Sequence, residues 1–586
     1  MQHAPAEPGG HSLLTTHYSP FTIHVMSNSN PYAGLSPVEK IKRESDGLRG
    51  NIVPAVKEPL TGSVPEDVVQ LVKFHGMYLQ DDRDRREIRA QKKLERLYSF
   101  MIRLRLPGGV LTPEQWIATH HIAGEHSTGV IKITTRQTLQ LHGLLKSHVK
   151  PTIQEFSAAK LDSIATCGDV NRNVTAAAHP EASPIHAEIH GYADKISTML
   201  MPKTRAYYEI WLDEEKLGER ITSESDPLYQ DRYLPRKFKI GIAIPPNNDI
   251  DVLTNDLGLI AIIEKGKLIG FNIAVGGGLS FTHGNEQTYP RLGTVLGFVA
   301  GEEKTMKAVY EVLTVQRDFG YRGDRKLARV KYTIDKMGVE GFKAELEKRI
   351  GFQLEPAKPF EFTERKDYYG WKKNHQGLWY YTVFVEHGRI TDDTNAATKS
   401  ALYEIAQTGK ALFRFTGNQN ITVGDVAEKD KKEIEAILEK YNVKQFTEKA
   451  SALRKNSIAC VAYNTCPLAL AEAQRYLPTL VTKLEPLLEK HGLEKDEITI
   501  RMTGCPNGCG RSTASEIGFV GTAYGQYNLH LGGDREGMRL NTKFKEHLHE
   551  EDILKELDTV FASYAAERKN GETFGDFTQR VLIAKA

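Results

Sequence analysis

Four of the chain's five cysteines fall between positions 460 and 509, in two pairs. Cys460 and Cys466 stand in Cys-Val-Ala-Tyr-Asn-Thr-Cys-Pro, and Cys505 and Cys509 in Thr-Gly-Cys-Pro-Asn-Gly-Cys-Gly. Four converging thiolates make either a Cys₄ zinc site or a Cys₄ iron–sulfur cluster, so any fold must bring two separate turns together. Structural zinc prefers short gaps; the second pair fits that rule and the first, with five residues between its cysteines, fits poorly. A cubane cluster spreads its irons over the corners of a cube and tolerates unequal gaps, which favours a cluster. Glycines around Cys505 and Cys509 let backbone N–H groups approach sulfur, and the prolines after Cys466 and Cys505 stiffen the turns. Cys167 stands apart and reads as a small buried or semi-exposed side chain.

The length of 586 residues corresponds to roughly four structural units at about 150 residues each. With 77 basic against 75 acidic side chains, no global field points to nucleic acid or an anionic membrane. No apolar run is long enough to span a bilayer. Clustered, sparse cysteines fit a reducing compartment, hence a cytoplasmic location. Residues 1–39 contain no Lys or Arg, so the basic start of a secretory signal is missing. Residues 1–35 read as a disordered extension, with Met26 an alternative start.

The remainder shows an internal duplication. A strand over Phe100–Leu106, a helix over about 113–124 and a strand over Gly129–Thr134 lead into the turn Thr135-Arg136-Gln137-Thr138. A strand over Leu378–Val385, a helix over about 396–408 and a strand over Ala411–Thr416 lead into Gly417-Asn418-Gln419-Asn420. Each half then runs into sheet-forming segments: Lys237–Ile244 and Ile269–Gly278 in the first, Ile498–Met502 and Tyr527–Gly533 in the second. Residues 425–442 and 549–569 read as charged amphipathic helices. The expected architecture is α+β (mixed α/β), with three domains and a pseudo-two-fold relation around a central site. Its parts are an arm at 36–97, half-domains at 98–165 and 356–443, and larger sheet domains at 166–355 and 444–586. The run Phe74–Asp84, mixing aromatic and charged residues, reads as a docking arm.

A cluster only relays electrons, so a reaction site needs further residues. Arg103, Arg136, Arg172 and the run Arg236-Lys237-Phe238-Lys239 supply cations. Lys237 and Lys239 share one face of an extended chain, and like charges so placed repel unless an anion lies between them. Each alone is as compatible with a solvated surface charge. In the second copy the turn arginine is replaced by Asn418, so the halves are specialised: one for anions, one for thiolates.

Taken together, these motifs, with Phe-His-Gly-Met-Tyr-Leu-Gln-Asp-Asp-Arg-Asp, Arg-Leu-Arg-Leu-Pro-Gly-Gly, Asn-Arg-Asn-Val and Asn-Leu-His-Leu-Gly-Gly, resemble the siroheme-containing sulfite and nitrite reductases over residues 36–586. The nearest branch is the haemoprotein (beta) subunit of the NADPH-dependent assimilatory type. The resemblance implies ferredoxin-like half-domains and a 4Fe–4S cluster on Cys460, Cys466, Cys505 and Cys509, with Cys509 also binding the siroheme iron. It implies Arg103, Arg172, Lys237 and Lys239 around sulfite, and Arg136, Gln140, His142 and Asn507 at the siroheme or its hydrogen-bond network. It further implies six-electron reduction of sulfite to sulfide. Gly276-Gly277-Gly278 lacks a dinucleotide fingerprint, so NADPH, FAD and FMN belong to a flavoprotein (alpha) subunit in a hetero-oligomer. Nitrite reduction to ammonium and a non-enzymatic Cys₄ protein are the rival readings.

Overall fold

The computed structural model describes residues 31–178, 182–212, 225–392 and 395–584; the expected extension at 1–35 lies mostly outside them. Its framework is four five-stranded sheets in two matching pairs. The first pair is two mixed helix–sheet units. One sheet runs Met77–Asp81, Tyr98–Arg103, Leu139–Leu144, Ile131–Ile133, and the other Gly370–Lys373, Trp379–Val383, Ile421–Val426, Leu412–Phe415. Each is completed by a two-residue strand from the opposite half. Arg389–Ile390 pairs with Ile131–Ile133, and Val110–Leu111 pairs with Leu412–Phe415. The helices Pro113–His126 and Thr398–Gln407 pack across the same axis, with His120 stacked on Tyr403 at 4.2 Å. The first starts cleanly because Thr112 and Gln115 form a capping box ahead of Pro113.

Duplication extends to single hydrogen bonds. Thr134 N–H donates to Thr138 O at 2.9 Å, and Thr416 N–H to Asn420 O at 2.9 Å. Gln137 and Gln419 occupy the same left-handed position, with φ of 52° and 70°. Their neighbours diverge: Asn418 turns inward onto Asp367, whereas Arg136 reaches over to Asn255 of the first large sheet domain.

The second pair of sheets has one topology used twice. Thr175–Ala176, Ile240–Ala243 and Leu257–Glu264 run parallel, followed antiparallel by Lys267–Val275 and Thr294–Ala300. Ser457–Ala459, Ile500–Thr503, Ile517–Ala523, Gln526–Leu531 and Thr542–Leu548 repeat that order. One continuous apolar core runs from Leu48 to Val443, a separate one, from Leu453 to Phe577, belongs to the cysteine-bearing sheet, and a small third cluster contains Ile250, Val252 and Phe362. Phe574 and Phe577 are buried against Tyr564, closing the tail onto that second core.

Several local expectations are corrected. The run Phe74–Asp84 is largely internal: Phe74, His75, Met77, Gln80 and Asp81 are buried, because Met77–Asp81 forms an edge strand on Tyr98–Arg103. Residues 425–442 are not one helix; the preceding strand reaches Val426 and the helix spans Lys431–Lys440. Lys237 and Lys239 precede the regular strand, which starts at Ile240, although Phe238 still bridges Asn171.

Polar contacts join the two cores, and one carboxylate dominates them. Asp251, buried and at φ 52°, accepts from Arg365 (3.0 Å), Arg501 (2.7 Å) and Arg511 (2.5 Å). Burial alone would raise its pKa; the three guanidinium groups outweigh that and hold it well below the usual carboxylate range. Asp251→Asn keeps the left-handed backbone tolerable but leaves three buried cations unpaired. It should cost about 3–5 kcal/mol in urea unfolding at neutral pH. Because the folded pKa is depressed, the parent's advantage should disappear as pH falls through that lowered value.

Candidate redox site at the junction of the two halves

Both cysteine turns follow parallel strands of the second large sheet: Cys460 comes directly after Ser457–Ala459, and Cys505 and Cys509 follow Ile500–Thr503. Close backbone approach explains the glycines. A Cβ on Gly504 would stand 2.5 Å from Ala471 O, and one on Gly508, at φ 66°, 3.1 Å from the Leu279 side chain. Gly504 N–H points at Cys460 Sγ (3.3 Å), and the Asn507 amide at Cys505 Sγ (3.5 Å). Burial pushes the Cys466 thiol up to about 12, with Cys509 and Cys505 adding to it, so this thiol ionises only against a strong cationic centre.

The thiol spacing distinguishes the two metal readings. Among the described residues, the only three ligand atoms within 4.8 Å of one another belong to Glu125, His126 and Glu155, far along the chain from the cysteines. A tetrahedral zinc with bonds of roughly 2.3 Å needs its sulfurs roughly 3.8 Å apart. The five-residue gap between Cys460 and Cys466 suits that arrangement poorly, and a cubane tolerates it.

The first half closes over the cysteine turn. Thr135 Oγ1 donates to Cys509 O (3.2 Å), and Phe281 N–H to Pro506 O (3.0 Å). Cys509, the one exposed member of the four, lines a cavity with Arg136, Lys239, Asn507, Arg329 and Arg511. The protein neutralises only part of the positive charge here: Arg511 pairs with Asp251 and Arg329 with Asp256. Among the described residues, no hydrogen bond or ion pair engages the amines of Lys237 or Lys239. Burial and then Lys239 and Arg236 force Lys237 well below its ordinary pKa. Burial and then Arg136 bring Lys239 to about 7. Arg136 donates to Asn255 and to the carbonyls of Asn173 and Ile240, yet its buried Nε has no partner; the same holds for Nε of Arg511. Buried cations with orphaned donors fit a polyanionic ligand beside Cys509, and siroheme with its eight carboxylates is such a group.

Arg103 and Arg172 form the adjoining wall. Arg172 donates to Gly168 O (3.1 Å) and Tyr78 Oη (3.3 Å); Arg103 donates to Thr166 O (3.1 Å) and Cys167 Sγ (3.2 Å). Cys167 is thus fully buried beside the cationic group rather than incidental to it. Gln140 and His142 lie instead on the sheet face behind Arg103, with both imidazole nitrogens engaged by protein.

Three residues that motif reasoning passed over also serve the site. Arg83, from the run expected to be a docking arm, donates to Cys466 O (3.0 Å) and Ala469 O (2.7 Å) and stacks on Tyr463 at 4.0 Å. Lys132, buried, donates to His387 O and lies in the field of Cys460. Tyr78 braces Arg172. The Asp-Asp-Arg-Asp charge run at a strand end was the one available signal for Arg83.

Comparison with known proteins identifies the family. Residues 92–159 and 372–441 match the nitrite/sulfite reductase ferredoxin-like half domain, and residues 191–354 match the nitrite and sulphite reductase 4Fe-4S domain. The latter match falls on the sheet without the cysteines, as a duplicated fold allows. The chain therefore belongs to the nitrite and sulfite reductase family. It is 61% identical over 547 residues to a protein of Leptospira biflexa named "Sulfite reductase [NADPH] hemoprotein beta-component", covering 93% of this chain and 98% of that one. A Bacillus velezensis protein of the same name is 51% identical, covering 95% and 97%. The fold is also that of the Mycobacterium tuberculosis NirA protein, with TM-score 0.75, 23% identity and coverage of 94% and 97%.

Replacing Cys460 or Cys505 by Ser should abolish the broad cluster absorbance. Metal analysis of the parent should find iron and no stoichiometric zinc.

Proposed function

We propose that this chain is the sulfite-reducing haemoprotein subunit of an NADPH-fed assimilatory sulfite reductase, taking sulfite to sulfide with six electrons. The observation that carries this is the cluster of buried basic groups at the cysteine turn: Arg136 and Lys239 line the cavity with Cys509, and Lys237 lies in the field of Lys239. The names of the relatives, at 50–61% identity over nearly their full length, support the substrate.

When bound, siroheme coupled to a 4Fe–4S cluster supplies the site for the sulfur atom and the electrons. Cys460, Cys466, Cys505 and Cys509 would hold the cluster, Cys509 would also bind the siroheme iron, and Arg136, Arg511 and Asn507 would meet the macrocycle's carboxylates. The chain's other residues handle the anion. Arg103, Arg172, Lys237 and Lys239 balance the two negative charges of sulfite and draw electron density from its S–O bonds. A lysine with a depressed pKa releases its proton readily, and the neighbouring anion returns the amine to its charged form. Lys237 and Lys239, reprotonated from solvent between transfers, can therefore relay the six protons with which the three oxygens depart as water.

Electrons must come from a partner. Gly276-Gly277-Gly278 serves as a structural turn: Gly278 N–H donates to Arg291 O at 2.8 Å and Lys331 Nζ donates to Gly278 O at 3.3 Å. A flavoprotein (alpha) subunit carrying FAD and FMN, which oxidises NADPH within a cytoplasmic hetero-oligomer, fills that role. The exposed residues beyond the buried part of 36–97 remain the proposed docking region.

Purified chain should show siroheme-type visible absorption and, with reduced viologen, a higher kcat/KM for sulfite than for nitrite; the reverse preference would make it a nitrite reductase. Lys237→Ala should lower sulfite turnover about a hundredfold while both cofactors stay bound; loss of siroheme instead would give Lys237 an assembly role. Cys509→Ser should lose cluster–haem coupling in spectroscopy along with activity.

A further inference from the structure

One face of the first half-domain's sheet is polar where an ordinary sheet would bury apolar side chains. Tyr78 and Gln80 on Met77–Asp81, Arg103 on Tyr98–Arg103, and Gln140 and His142 on Leu139–Leu144 share it, while Met77, Ile102, Leu139 and Leu141 fill the opposite face. Arg103 and Gln140 are direct cross-strand partners. The Gln140 amide orientation that satisfies both neighbours puts its oxygen on Arg103, accepting from Nε (2.9 Å) and Nη2, and its nitrogen on His142 Nε2 (3.2 Å). His142 Nδ1 faces Gln80 Oε1 at 3.0 Å and Thr465 Oγ1 at 3.2 Å.

We infer that Gln140, backed by His142 and Gln80, positions Arg103 for the anion, and that these residues act on sulfite only through that guanidinium. This rests on the sulfite site proposed above. A guanidinium has five N–H donors. Nη1 is directed at Thr166 O and Cys167 Sγ, and Nε and one Nη2–H are taken by Gln140, leaving a single Nη2–H for a ligand. A side chain held at both ends of its fork loses little freedom when the anion arrives.

The chain of donors has a fixed direction. Gln140 can present its oxygen to Arg103 only while its NH₂ has an acceptor on the other side, and that acceptor is a ring nitrogen without a proton. His142 meets the requirement because burial, with Lys132 and Arg103 adding to it, lowers its pKa to about 3 and keeps the ring neutral. Its one proton then sits on Nδ1 and is donated to Gln80 Oε1. Without the Nε2 acceptor, the amide would be free to turn its NH₂ toward the guanidinium, donor against donor. Thr465, next to the cluster ligand Cys466, touches the far end of this chain, so Arg103 is braced against the same loop that carries a cysteine.

The test is a double-mutant cycle on the loaded enzyme, reading sulfite Kd by titration of the visible spectrum. Gln140→Leu should weaken sulfite binding about tenfold in the parent and cause no further loss in an Arg103→Ala background. His142→Phe, which keeps the ring volume and removes the acceptor, should behave the same way with a smaller loss. KM should rise with little change in kcat, and siroheme and iron content should match the parent. Equal losses in both backgrounds would overturn the inference, as would siroheme depletion in either variant, which would make these residues cofactor ligands. Failure of the parent to bind sulfite at all would instead refute the functional reading on which this rests.

Discussion

A single carboxylate facing three guanidinium groups is the joint on which the molecule turns. Asp251 belongs to the first large sheet domain; Arg501 and Arg511 belong to the second, and Arg365 to the segment between them. The two large apolar cores do not merge, and this cluster ties them together with polar contacts such as Arg83 on the Cys466 turn and Gln419 on Ala459 O. A hydrophobic interface tolerates sliding; a buried ion cluster with fixed donor directions does not. Since the cofactor cavity lies between the two sheets, the stiffness of the joint defines the cavity.

The joint is also under-neutralised. Asp249, beside it, has its pKa raised to about 7 mainly by burial, so it offsets little of the charge of the three arginines. Arg511 continues from the joint into the cavity, where Arg136, Lys239 and Arg329 add more. Such a concentration of buried positive charge is costly alone and favourable around a polyanion. Stability and cofactor loading are therefore linked: what binds the folded site stabilises the fold by its own affinity.

The sequence made much of this visible. Cysteine spacing, the Thr-Arg-Gln-Thr turn and the repeated strand–helix–strand pattern are local features, and local features survive in one dimension. The cluster reading and the specialised halves followed from them. Arg83 and Cys466 are 383 positions apart, and Asp251 and Arg501 are 250 apart. Nothing in the neighbourhood of Arg83 or Asp251 shows what either will touch. The buried strand Met77–Asp81 was hidden for another reason: its polar side chains, Tyr78 and Gln80, point at the site and resemble a solvent-facing pattern. For Gln140 and His142 the motif recorded that the residues are adjacent and not that their side chains reach Arg103 across the sheet.

The exchanged strands Val110–Leu111 and Arg389–Ile390 carry a consequence for the two halves as folding units. Each half lends the edge that closes the other's sheet, so a half on its own would be one strand short and would present an open edge to any other chain. Two separate copies could satisfy each other only as a concentration-dependent, strand-swapped pair. Linking them in tandem makes the exchange intramolecular, with an effective concentration that free halves would not reach. Once joined, the copies no longer had to be identical. One could give up its turn arginine and the other its thiolates, and a symmetric scaffold could hold an asymmetric site.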